Sequence, residues 1–146
     1  MSAVLKEASS EISQLFQRLA AKAPDVAQTT AAQRVEKLQK LLKAVMAARP
    51  AILEAGKKEL RLVDLDIDAQ LLMVKGECDF ACKHLQQWLQ RDPVQATLMT
   101  VGKTCYVQYE PKGVVLNLAT WNAPIAIGLV PLIGAIVLVS LGSDGR

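Results

Sequence analysis

From Val114 to Ser143 the chain carries no charged residue. A stretch so long and so apolar either crosses a membrane or lies inside protein. Its punctuation separates the two. Asn117, Trp121, Asn122 and Pro124 cluster in the first half, where a span calls for unbroken apolar helix. A helix that starts only at Pro124 and runs to Gly142 is just long enough to cross. The flanks set no orientation either: Lys103 and Lys112 lie on one side, and Arg146 beside Asp144 on the other. The interior reading uses the same residues without conflict. "VVLNLAT" reads as a short strand buried on both faces, "TWNAP" as a polar turn, and "IAIGLVPLIGAIVLVSLG" as a helix with Pro124 in its first turn. Turns at the carboxyl ends of such strands face the crevice where α/β sheets bind ligands.

Before Asp92 the pattern is helical. "SEISQLFQRLAAKA" places Ile12, Leu15, Phe16 and Leu19 on one face, and Pro24 is expected to end that helix. Thr30 and Gln33 have the spacing of a capping box, followed by an apolar stripe of Val35, Leu38, Leu41, Leu42 and Val45. Pro50 suits the first turn of a further helix. Ile67, Leu71, Val74, Cys78, Cys82, Leu85 and Leu89 then recur at spacings of three and four. Asp66 or Asp68 is the expected cap of that helix, and Asp92-Pro93 its stop. "KTCYVQYE" alternates like a half-exposed strand, and Pro111-Lys112-Gly113 reads as a turn. The fold class expected is α/β. A helical amino-terminal region over 1–92 leads into an antiparallel-type strand, then the first buried strand and helix of a Rossmann-like unit over 93–146.

Composition removes several function classes. A net charge of +3 in 146 residues, with bases and acids interleaved, describes solvated helix faces rather than a nucleic-acid stripe. Two Trp, two Tyr and two Phe are too few for single-strand stacking. The opening "MSAVLKEASSEISQLF" lacks the basic region and apolar core of a secretory signal, so a cytoplasmic protein is expected. Three irregularly spaced cysteines fit reduced thiols rather than a disulfide framework.

"EPKGVVLNLATWNAPIAIGLVPLIGAI" resembles the aldehyde dehydrogenase superfamily. Glu110, Pro111, Gly113, Val114, Val115, Trp121, Asn122, Pro124, Pro131 and Ala135 stand where that family's pattern wants them. Arg34, Leu38 and Leu41, then Leu85 and Trp88, extend the likeness over the helices. The resemblance implies NAD or NADP as cofactor and an aldehyde as substrate. It implies that Asn122 is a catalytic residue, whose side-chain amide holds the oxyanion formed when a cysteine thiolate attacks the aldehyde. The backbone of Leu118, Ala119, Thr120 and Trp121 would line the nicotinamide end of the cofactor site. Thr120 departs from the family's usual proline and Ala123 from its usual Tyr or Phe; beyond Ile136 the match ends.

None of Cys78, Cys82 and Cys105 lies in the context of the family's nucleophile, and no counterpart of its general-base glutamate is present. The expectation is therefore an amino-terminal piece of an NAD(P)-dependent aldehyde dehydrogenase, inactive alone. No metal site is expected: Cys78 and Cys82 share a helix face, but His84 falls well around the helix and no fourth ligand is evident. "GKT" at Gly102–Thr104 lacks the glycine and helix of a phosphate loop. Asn122 also has a plain structural reading, as a cap on the helix it precedes. Trp88 reads as a helix-end core residue and Glu110 as structural. Two other classes stand beside the enzyme piece. One is a non-catalytic interaction or oligomerisation protein that pairs its exposed strand edge, including with its own copies. The other is a single-pass membrane protein anchored by the last helix.

Overall fold

A computed structural model of the chain describes residues 3–109 and 113–138, with side chains described between 10 and 137. The first helix, α1 (Ala3–Ala27), runs through Pro24 rather than ending there. An internal proline loses one i→i−4 hydrogen bond and crowds the carbonyl four residues back. That carbonyl belongs to Ala20, an exposed residue in the last turns of the helix, where water can take the missing donor's place. Thr30 caps α2 (Ala31–Ala47) through the expected box with Gln33. Pro50 lies in the first turn of α3 (Arg49–Leu60), which closes on Arg61 in the left-handed region at φ 55°.

Neither Asp66 nor Asp68 caps the long helix α4 (Asp64–Trp88). It starts earlier, with Val63 at the cap position and Asp64 and Asp66 inside its first turn, where carboxylates meet the positive end of the helix dipole. Asp68 instead takes Arg49 in a two-pronged pair, with Nε and Nη2 each 2.7 Å from a carboxylate oxygen. The helix also stops at Trp88, before Asp92-Pro93 is reached. Gly56 of α3 faces Ile67 so closely that a Cβ there would stand 2.6 Å from Ile67 Cδ1.

The core forms where α2, α4 and α5 (Pro124–Leu138) meet. Leu38, Val74, Cys78, Ala81, Leu85, Ile133 and Val137 are buried together. Ile67 and Leu71 are buried too, so the α4 stripe faces inward as its period requires; Cys82 and Leu89 are half-buried. Trp88 packs half-buried against the same cluster.

Of the expected strands, "KTCYVQYE" yields β2 (Cys105–Val107), antiparallel to β1 (Asp92–Val94), with Asp92 opposite Val107 and Val94 opposite Cys105. The partner strand went unforeseen because Asp92-Pro93 carries a helix-stop signal. The buried strand at "VVLNLAT" is corrected: residues 113–120 run without a ladder. A strand buried on both faces needs neighbours along its edges and cover above and below. Here residues 115–120 are all exposed, and they meet α5 on one side only at isolated points. Asn117 Nδ2 donates to Gly128 O of α5 at 2.7 Å, and the Ala119 Cβ lies close to Gly128. Leu116 and Leu118, at the alternate positions, are 80% and 76% exposed.

Among the described residues the fold is therefore mostly helical with a two-stranded antiparallel sheet. No described helix is long and apolar enough to cross a membrane. The expected helix end at Gly142 and the Pro111-Lys112 part of the turn, with Glu110, lie outside the described residues.

Candidate active-site corner

The polar turn between the extended segment and α5 is built by hydrogen bonds at both ends. Upstream, Asn117 ties the segment to α5. Pro131 has no N–H to offer the Ile127 carbonyl, and the Gly128 carbonyl one residue further on accepts from Asn117. Downstream, α5 starts with the Ile127 amide donating to Ala123 O at 3.0 Å. Asn122 therefore stands one residue before the cap position.

The capping task belongs to another residue. Gln70 of α4, buried among apolar neighbours, accepts from the Ile125 and Ala126 amides at 3.1 and 3.3 Å through its Oε1. These are among the first N–H groups of α5, which have no partner inside the helix. Asn122 is exposed, and its Oδ1 accepts from the Thr120 hydroxyl at 2.6 Å. Thr120, where the family pattern usually has proline, thus braces the asparagine. With the oxygen engaged, the exposed amide keeps Nδ2 as its donor. No charged side chain of the described residues bonds to it.

Leu118, Thr120 and Trp121 are exposed, Trp121 at 82%. Their backbone groups enter no ladder, so they are accessible to a flat ligand laid along the segment. The described residues supply neither a second acid–base group nor a thiol at this corner.

The cysteines sit elsewhere and are suited to packing. Burial is the first cause of a Cys78 thiol pushed up to about 11, and its Sγ donates to Leu38 O at 3.4 Å. Cys82 is likewise raised by burial. Protonated core thiols are poor nucleophiles and poor metal ligands. His84 clusters with Phe80 and Trp88, tilted against the first at a centroid distance of 4.5 Å and stacked on the second at 5.9 Å. Among the described residues no group of acids, cysteines and histidine could hold a metal.

Sequence reasoning missed Gln70 altogether and, of Arg34, its burial. Gln70 acts on a helix 55 positions later, and no local pattern couples the two. Arg34 is only 2% exposed and has no carboxylate partner among the described residues. Its place in an otherwise apolar stripe was the available signal.

A sequence model of the aldehyde dehydrogenase family matches residues 2–139. The chain is 33% identical over 108 residues to aldehyde dehydrogenase family 3 member B3 of Mus musculus, covering 73% of this chain and 22% of that protein. It is 36% identical over 104 residues to family 3 member A2 of Macaca fascicularis, covering 70% of this chain and 21% of the relative. Over 67 residues, 46% of this chain and 15% of the relative, it is 37% identical to the dimeric NADP-preferring aldehyde dehydrogenase of Canis lupus familiaris. It thus spans about a fifth of the length of the curated relatives that it matches over most of its own length.

Proposed function

This chain belongs to the aldehyde dehydrogenase family, and from that premise we propose that Asn122 is its oxyanion donor toward an aldehyde. The observation that carries the reading is the Thr120–Asn122 hydrogen bond, together with the capping of α5 by Gln70. The amide has no capping duty and is held before any substrate arrives. A donor fixed in advance stabilises developing negative charge without reorganisation cost, most strongly where water is excluded. The negative oxygen would accept from Nδ2. Pro124 and the capped start of α5 keep the corner from drifting.

Leu118, Ala119, Thr120 and Trp121 would lie along the nicotinamide end of NAD or NADP, and the cofactor supplies the hydride acceptor when bound. Their unladdered backbone fits a flat ring, and the exposed Trp121 indole offers an apolar face to cover it. One matched relative is named NADP-preferring, which supports NADP as the first cofactor to test. In the complete family fold, residues 114–120 would gain strand neighbours and the Rossmann-like sheet that they lack here. An aldehyde as substrate belongs to that complete fold.

Alone, the 146-residue chain does not turn over, because an oxyanion donor without an attacking thiolate has no charge to stabilise. Two experiments test the reading. The purified chain with NAD or NADP and a panel of aldehydes should yield no reduced cofactor; turnover above blank overturns inactivity. In a chimera carrying residues 30–136 of this chain within a matched relative, N122A should lower kcat about a hundredfold or more. An unchanged kcat in the chimera removes Asn122 from the chemistry.

A further inference from the structure

At the far end of α5 from Asn122, a groove of about 250 Å³ opens between the end of α1, the start of α2, the segment at Gly113–Val115 and the last turns of α5. Leu19, Val26, Val114 and Ile136 form apolar walls, while Lys22 and Lys37 stand at its edge and Arg34 lines it from α2. Lys22 is already engaged by Asp25 at 3.2 Å.

Arg34 is the unusual member. Its Nε donates to Thr29 Oγ1 at 3.0 Å, and its Nη2 to the Thr29 and Ala27 carbonyls. Those partners are neutral, and the buried Nη1 has none at all. A buried guanidinium normally finds a carboxylate or phosphate to offset its desolvation. Burial alone drags this one down to about 10, so it stays cationic at neutral pH while no described residue pairs it with an anion.

We propose that this groove binds a short aliphatic monocarboxylate, with the carboxylate on Arg34 Nη1 and the alkyl chain along Leu19, Val26, Val114 and Ile136. The ligand class follows from the lining. A free phosphate keeps several oxygens that each need a donor, whereas Arg34 has one unused nitrogen beside the apolar walls. A carboxylate with a hydrocarbon tail satisfies both at once. The volume falls below the roughly 300–1,000 Å³ typical of drug-sized ligands, which limits the tail to a short one. Lys37 at the edge adds attraction for an approaching anion. The site does not depend on the role proposed for Asn122.

The test titrates the purified 146-residue chain with octanoate, octan-1-ol and acetate. Calorimetry gives the affinity, and the Arg34 Nε–Hε cross-peak in a ¹⁵N-edited NMR spectrum reports the contact. Octanoate should bind and shift that peak, with octan-1-ol and acetate each weaker by about tenfold or more. R34M should weaken octanoate binding by about tenfold or more. K37E, an exposed edge substitution with no place in the core, should weaken it as well and keeps the test decisive if R34M does not fold. Octan-1-ol binding as tightly as octanoate, an Arg34 peak unmoved at saturation, or full affinity in K37E would each overturn the proposal.

Discussion

Gln70 and Arg34 are both buried polar side chains, and they answer burial in opposite ways. Gln70 meets two amide donors of α5 with one oxygen, so its removal strands donors inside the protein. Q70A should therefore lower stability by about 1–2 kcal/mol, seen as a lower urea midpoint with the m-value unchanged. An unaltered midpoint would mean that the α5 start is capped by something else. Arg34 carries an uncompensated charge, and a hydrophobic side chain of similar length often replaces such a group at little net cost. The Thr30–Gln33 box was legible because both partners sit within one turn. Gln70 was not, since its partners lie across the core, and an arginine is ordinarily assigned to the surface. Asn122 was located by the Trp-Asn pattern; its bond to Thr120 had no sequence sign beyond two polar residues spaced two apart.

Helices α3 and α4 are joined by two features that respond to different perturbations. One is the Arg49–Asp68 pair. The hydrogen bond from Arg49 is the largest cause of an Asp68 carboxyl held below its ordinary range, and the same pair raises Arg49. Between that lowered value and the usual 3.8 the unfolded chain binds more protons, so stability rises with pH across the window and is lost on acidification. D68N should flatten that acid limb, and added salt should shrink the difference because the pair is partly exposed. An acid limb of the same slope in D68N would remove the pair from the account. The other feature is Gly56. G56A gains about 1 kcal/mol of helix propensity. It also drives a methyl to 2.6 Å from Cδ1 and 3.3 Å from Cγ1 of Ile67, which is fully buried; overpacking costs about 1–3 kcal/mol. The net expectation is a loss, read as a lower thermal midpoint. The helices themselves were legible because their apolar periods run for several turns. The strand at "VVLNLAT" was not, because a continuous apolar run reports burial without reporting which neighbours provide it.

The whole molecule keeps apolar surface that its own elements do not cover. Leu116, Leu118 and Trp121 project from the unladdered segment, and Ile12, Leu15, Phe16 and Leu19 of α1 are about half exposed or more. Patches of this kind on a small protein mark contact surfaces, and an unpaired extended edge invites pairing with another chain. Sedimentation should accordingly give an average mass above 15.8 kDa that climbs with concentration. The double substitution L116K/L118K should return it toward the monomer value without lowering the melting temperature, because both side chains face away from α5. A monomer at every concentration would show that these surfaces do not associate.

Synthesis runs from the amino end, and the Gln70 bonds give that direction a consequence. The glutamine leaves the ribosome 55 residues ahead of Ile125, with α2 and α4 available to assemble behind it. The start of α5 therefore emerges toward a receiving surface already made, including an oxygen waiting for its first two amides. A circular permutant that delivers α5 first would expose its apolar residues to their own kind before that surface exists, and should be lost to aggregates during translation rather than after folding.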